Sequence, residues 1–168
     1  LFAGEGALLF AREIGFPQYD PKALIVEAER ARWQEKHGTV GCVARDAGGK
    51  IAVATSTGGI FNKLPGRVGD SSLIGCGTYA NDHGGVSCTG QGEAIVRIVM
   101  AKTALDFLKE GAEPRAAAHQ AIALLAQKTG GTAGLIIIDG RGNIGYARNT
   151  ERMPVGFILS DGQVHLDS

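Results

Sequence analysis

The chain has 168 residues, 44% hydrophobic and 20% charged, which is enough for one buried core and too apolar for a disordered polymer. Lys+Arg and Asp+Glu each total 17, so no charge excess points to nucleic acid or a membrane surface, and no apolar run reaches the roughly 20 residues that cross a bilayer. Cys42, Cys76 and Cys88 are odd in number and lack C-x-x-C spacing, which argues against a disulfide framework or zinc site and for buried thiols in a reducing, cytoplasmic setting.

Taken in chain order, Leu1–Glu5 has neither an initiator Met nor a leader pattern and reads as the middle of a longer reading frame. Phe2–Ile14 predicts a short helix ended by Gly15-Phe16-Pro17. After the linker Gln18–Pro21, Lys22–Lys36 has helix-forming composition, alternating charge and only a thin apolar face, so it is expected to be solvated. The texture changes at Thr39. Val40–Arg45 and Ile51–Thr57 predict two strands joined by Asp46-Ala47-Gly48-Gly49, a hairpin signal. Leu73–Tyr79 and Gly85–Thr89 are further strand candidates. From Gly92 to Lys109 the apolar residues take helical spacing, and Pro114–Lys128 is a second helix with Gly130-Gly131 after it. Gly134–Ile138 and Asn143–Arg148 flank Asp139–Gly142, and Pro154–Leu159 and Gln163–Leu166 flank Ser160–Gly162, as two more hairpins. Strand pairs, two helices, then strand pairs again predict an α+β fold of antiparallel sheet with helices layered on it. Val40–Ala44 and Leu135–Ile138 are almost continuously apolar, as strands buried on both faces would be.

Glycine is the compositional anomaly. The 26 glycines are about twice the usual ~7%, and many fall in Thr57–Gly92, where backbone packed around a small ligand would need them. Within this region three pieces could carry chemistry. Gly38-Thr39 offers a hydroxyl nucleophile: if the chain is cut before Thr39, the new α-amine, with a pKa of about 7.7–8.0, can serve as its base. Thr57, at the end of the partner strand, reaches Thr39 if the two strands pair. Read blandly, Thr39 is a β-branched strand residue and Thr57 a strand-end hydroxyl. Arg67-Val68-Gly69-Asp70 places a guanidinium and a carboxylate in one glycine-bounded turn. These suit the α-carboxylate and α-ammonium of an amino acid, or else form a surface ion pair of little worth. Thr89-Gly90-Gln91-Gly92 opens the long helix, where N–H groups favour an oxyanion. A dinucleotide fingerprint fails there, because its third glycine position is Ile95.

In combination these segments resemble the plant-type L-asparaginase/isoaspartyl peptidase family of N-terminal-nucleophile (Ntn) threonine hydrolases. The resemblance rests on HGTVG (37–41), ATSTGG (54–59), NKLPGRVGDS (62–71), GCGTYAND (75–82) and VSCTGQGE (86–93). Fainter echoes follow in GGTAGLIIID (130–139) and NTERMP (149–154). Such enzymes cut themselves before the threonine into an α and a β subunit. The resemblance therefore implies that 39–168 is a β subunit and 1–38 the tail of an α subunit. The implied architecture is an αββα sandwich of antiparallel sheets, here incomplete because most of the α subunit is absent, and assembled with the rest of that subunit as a homodimer of αβ units.

The resemblance also assigns roles. Gly38–Thr39 becomes the cleavage site, Thr39 the nucleophile and Thr57 its hydroxyl partner. Arg67, Val68, Gly69 and Asp70 become the substrate turn, Thr89 and Gly90 the oxyanion donors, and Gln91 and Gly92 pocket lining. The implied substrates are L-asparagine and β-aspartyl dipeptides. No cofactor is implied in this chain, the family's sodium site falling in the missing α region. Ser72 stands where the family commonly has proline, a small departure. A glycosylasparaginase-type amidase is an alternative, opposed by Gly38, where that group typically carries aspartate. A truncated, catalytically silent subunit is another.

Overall fold

The computed structural model describes residues 4–17, 20–24, 38–60, 62–64, 66–159 and 161–167. The expected helix over Lys22–Lys36 lies, beyond Leu24, outside the described residues. So do Phe2, Gln18, Tyr19, His37, Pro65 and Ser160. The chain divides into two compact units, 1–36 and 37–168.

In the first unit α1 spans Gly4–Glu13, with Glu5 in its first turn and Arg12 in its last, each complementing the helix dipole. Its end is a Schellman motif. Phe16 N–H donates to the Ala11 carbonyl at 2.8 Å and Gly15 N–H to that of Arg12 at 3.0 Å, with Gly15 left-handed at φ 72°. A 3-10 turn over Pro21–Leu24 follows, capped by Asp20 Oδ1 accepting from Lys22 N–H.

The second unit opens with the hairpin of β1 (Thr39–Arg45) and β2 (Ile51–Thr57), antiparallel with Thr39 opposite Thr57 and Arg45 opposite Ile51. Asp46 fixes the turn, its Oδ1 accepting from Lys50 N–H at 2.8 Å. A four-stranded antiparallel sheet is formed by β3 (Thr78–Asn81), β4 (Gly84–Gly90), β5 (Ala133–Asp139) and β6 (Ile144–Arg148), adjacent in that order. The last two strands, β7 (Val155–Ile158) and β8 (Val164–Asp167), form a hairpin. Between β4 and β5 run α2 (Gly92–Ile98), α3 (Met100–Lys109) and α4 (Pro114–Thr129). Pro114 opens α4 and left-handed Gly130 closes it, as the sequence predicts.

The core lies between α2–α4 and one face of the four-stranded sheet. Val86, Cys88, Leu135 and Ile137 from the sheet meet Ile95, Met100, Leu105 and Leu125 from the helices, all at most 1% exposed. Full burial of side chains of this size contributes about 1.5–3 kcal/mol each. Ala101, Ala104, Ala117, Ala118 and Ala121, fully buried, let α3 and α4 approach closely. The hairpin covers the opposite sheet face: a Cβ at Gly85 would meet Val53, Ile51 and Val43 at 2.7–2.9 Å, so glycine is what lets the layers close. The observed architecture is mixed α/β with antiparallel sheets, layered helix, sheet and hairpin.

Four expectations need correction. Val40–Ala44 is not buried on both faces: Val40 is 73% exposed, Cys42 and Ala44 are exposed beside it, and Val43 on the inner face is half-buried. Cys42 is therefore not a buried thiol, whereas Cys76 and Cys88 are. Leu73–Tyr79 is not one strand, because Leu73–Gly77 turns and only Thr78–Asn81 pairs with β4. The helix expected over Gly92–Lys109 breaks at Val99, which is left-handed at φ 50°, ψ 53°. The break frees Ala101 and Lys102 N–H to donate to the Cys76 and Gly75 carbonyls at 3.0 and 2.8 Å, which anchors the turn found in place of the strand.

Candidate active site

Strand pairing brings the two threonines together. With Thr39 opposite Thr57, Thr39 Oγ1 donates to Thr57 Oγ1 at 3.3 Å. Thr57 Oγ1 also accepts from Gly59 N–H at 3.0 Å, which turns the chain away from the strand through a left-handed Gly59. Lys63 holds that turn, its Nζ donating to the Gly58 carbonyl at 2.5 Å. Gly38 lies at an exposed position where a Cβ would touch nothing within 4 Å, so its carbonyl is flanked by no side chain of its own.

The Arg67–Asp70 turn is gathered against the start of α2 by a glycine. A Cβ at Gly92 would fall 2.8 Å from Asp70 Oδ1 and 2.9 Å from Arg67 Nη2. Arg67 and Asp70 do not pair with each other. Instead Arg67 Nε and Nη2 donate to Glu93 Oε1 and Oε2 at 2.8 and 3.0 Å, a bidentate pair that leaves Nη1 outside it. This hydrogen bonding raises the Arg67 pKa and lowers that of Glu93. Glu93 stands within the VSCTGQGE motif, yet the sequence assigns it no part. Its 26-residue separation from Arg67 leaves no local signal of the pairing, although an acid at a glycine-rich helix start is visible.

Asp70 begins a 3-10 turn over Asp70–Ser72, and its carbonyl accepts from Leu73 and Gly77 N–H at 2.9 and 3.0 Å. Its carboxylate is buried, 7% exposed, and Oδ2 has no hydrogen-bond partner among the described residues. Burial raises its pKa above the ordinary 3.8, opposed by a backbone hydrogen bond and the Arg67 charge. A carboxylate kept from water beside a guanidinium already paired elsewhere is suited to receive a small cation.

Thr89 and Gly90 close β4. Gly90 is at φ 135°, a conformation open to glycine, and a side chain there would collide with Ala133 on β5. Thr39, Gly41, Ser87 and Thr89 line a cavity of about 100 Å³ together with Ile136, the cross-strand neighbour of Ser87, and the Met153–Gly156 segment. Gln91 is tied to Thr132: its N–H donates to the Thr132 carbonyl at 3.0 Å, and its Oε1 accepts from Thr132 N–H at 3.3 Å. Val68 is 63% exposed, and Gly69 packs under the Arg67 guanidinium. Asn149, from the NTERMP echo, holds the same loop, accepting from Ala133 N–H at 2.7 Å and donating to the Gly131 carbonyl at 3.1 Å.

Compared with known families, residues 34–166 match the Asparaginase family. The chain is 43% identical over 185 residues to a plant-type L-asparaginase of Pyrococcus abyssi, covering 94% of this chain and 59% of the relative. It is 37% identical over 180 residues to an isoaspartyl peptidase/L-asparaginase of Xenopus laevis, covering 99% of this chain and 58% of the relative. A plant-type L-asparaginase of Pyrobaculum calidifontis is 39% identical over 175 residues, again 94% of this chain and 58% of the relative. The chain thus spans about three fifths of the length of the curated relatives it matches.

Proposed function

The chain belongs to the Asparaginase family, and on that premise we propose that it is the nucleophile-bearing part of a self-cleaving threonine amide hydrolase. L-asparagine and β-aspartyl dipeptides are its proposed substrates. The observation that carries this reading is the buried Asp70 Oδ2 beside Arg67, without a hydrogen-bond partner among the described residues, in the same unit as the Thr39–Thr57 hydroxyl pair. One feature suits the ammonium and carboxylate of an amino acid, the other an attack on its side-chain amide.

In maturation, Thr39 Oγ1 attacks the Gly38 carbonyl and displaces the Thr39 nitrogen, giving an ester that water hydrolyses. The products are a new C-terminus at Gly38 and a free α-amine at Thr39. In turnover that amine takes the Oγ1 proton while Thr57 keeps the hydroxyl oriented. Asp70 accepts from the substrate ammonium and Arg67 donates to its carboxylate. Thr39 Oγ1 attacks the amide carbonyl, Thr89 and the Gly90 N–H donate to the oxyanion, and the amine returns its proton to the leaving ammonia or amino acid. Water then releases aspartate from Thr39.

The whole enzyme on this reading is an αββα sandwich in which 39–168 is the β subunit and 1–38 belongs to the α subunit. The exposed apolar row Val40, Cys42, Ala44 on the outer hairpin face supports a further covering layer. The test is ammonia released from L-asparagine, and aspartate from a β-aspartyl dipeptide, by the full-length gene product. Release lost in Thr39→Ala supports the reading; a folded full-length protein that releases neither product overturns it.

A further inference from the structure

Three hydroxyls that the mechanism above does not use meet between the hairpin and the four-stranded sheet. Thr55 Oγ1 lies 2.7 Å from Ser87 Oγ and accepts from Thr78 Oγ1 at 2.5 Å. Thr78 Oγ1 also reaches the Ser71 carbonyl at 3.2 Å, and Thr55 Oγ1 the Gly77 carbonyl at 3.3 Å. Ser87 is 3% exposed, and Thr55 and Thr78 are half-buried. Each hydroxyl has one proton to donate and each finds a partner within the protein, the single Thr78 proton choosing between Thr55 Oγ1 and the Ser71 carbonyl.

Elsewhere this interlayer is apolar, with Val43, Val53 and Ile51 on Gly85. Apolar contact is non-directional, whereas a hydrogen bond is bound to its distance and angle. The cluster's place matters because side chains two residues apart on a strand share a face. Thr55 precedes Thr57 by two on β2, and Ser87 precedes Thr89 by two on β4. Gly41 follows Thr39 by two on β1, and a Cβ there would run into Ser87 Oγ. Ser71, whose carbonyl Thr78 reaches, follows Asp70. At the far end of the hairpin an exposed bond, Arg45 Nε to the Gly140 carbonyl at 2.9 Å, ties the layers.

We infer that the Thr55–Thr78–Ser87 hydroxyl cluster sets the register between the two layers and thereby holds Thr39, Thr57 and Thr89 in mutual reach. Its members are positioning residues for the reaction proposed above, on which this inference rests. Among the described residues no hydrogen bond joins the cluster to Thr39 or to the Arg67 and Asp70 side chains, so its loss should appear in the rate of chemistry rather than in substrate affinity.

The experiment compares the full-length gene product with Thr55→Val, which keeps shape and drops the hydroxyl, and Thr55→Ser, which keeps the hydroxyl. Scission at Gly38–Thr39 is followed by mass, and kcat and KM for L-asparagine are measured well below each melting temperature. Thr55→Val is expected to slow scission and lower kcat by about 10²-fold, the effect of roughly an ångström of misplacement, with KM little changed and Thr55→Ser near wild type. If Thr55→Val does not fold, Ser87→Ala, which removes one hydroxyl only, carries the same comparison. A folded hydroxyl-deleted variant that cuts and turns over like a working wild type overturns the inference and reduces the cluster to stability alone. A wild type that neither cuts nor hydrolyses overturns the functional reading, and the inference with it.

Discussion

At Asp70 the fold keeps a carboxylate from water and, among the described residues, gives Oδ2 no partner, an arrangement that costs stability in the free protein. Because burial raises its pKa, the folded state holds this proton more tightly than the unfolded state. Stability from this group therefore falls as pH rises from the unfolded value through the folded one. Binding runs the other way, since only the ionised form accepts from an ammonium, and KM should rise as pH falls through the raised pKa. Asp70→Asn should melt higher than wild type at neutral pH while losing about 2–3 kcal/mol of binding, roughly 30–150-fold in KM. Calorimetry and initial rates on the full-length product check both signs, and a variant that melts lower and binds normally would refute the assignment. At this scale much is legible in the sequence. The Asp46–Gly49 turn with strands on both sides makes the hairpin legible, while the register that sets Thr39 across from Thr57 depends on Asp46 N–H closing on the Lys50 carbonyl. Glu93 is not legible as the Arg67 partner, because the contact exists only after Gly92 brings the helix start against the turn.

Among the elements, the break between α2 and α3 departs furthest from the sequence pattern. Apolar residues keep helical spacing through Val99, and a β-branched residue gives no hint of a left-handed conformation. The compensation is tertiary: the freed N–H groups of Ala101 and Lys102 grip the Gly75–Cys76 turn, and Thr103 Oγ1 caps the Ile98 carbonyl at 2.7 Å. A left-handed L-residue costs roughly 1–2 kcal/mol, which glycine avoids. Val99→Gly should accordingly escape the usual helix penalty of about 1 kcal/mol and leave the melting temperature level or higher. A drop of many degrees would mean that Val99 packing outweighs the strain. The strands are easier to read, since β5 carries the near-continuous apolar run Leu135–Ile138 and β6 follows it across the Asp139–Gly142 turn. The strand Thr78–Asn81 starts later than the sequence suggests because Leu73-Ile74 looks strand-like, yet the Gly75-Cys76-Gly77 turn is claimed by Asp70 and α3.

Over the molecule as a whole, the second unit has a helix layer on one sheet face and a hairpin on the other, and the hairpin's outer face is open. Continuous apolarity in Val40–Ala44 points to burial on both sides. A sequence reports the environment a strand is suited to, and under the proposed function that environment is completed by chain beyond these 168 residues. Cys42 makes this testable, being exposed while Cys76 and Cys88 are buried. In the 168-residue chain a thiol reagent should modify Cys42 quickly and the other two only on unfolding. In the full-length product Cys42 should be protected as well, and rapid labelling there would show that nothing covers the hairpin.

The proposed function stands or falls with Thr39 as a nucleophile released by its own attack, and intact mass with N-terminal sequencing of the incubated full-length product decides it. The wild type is expected to gain a new N-terminus at Thr39, and Thr39→Ala to remain uncut. A folded wild type that stays joined at Gly38–Thr39, or a Thr39→Ala variant that is cut there all the same, would rule that nucleophile out.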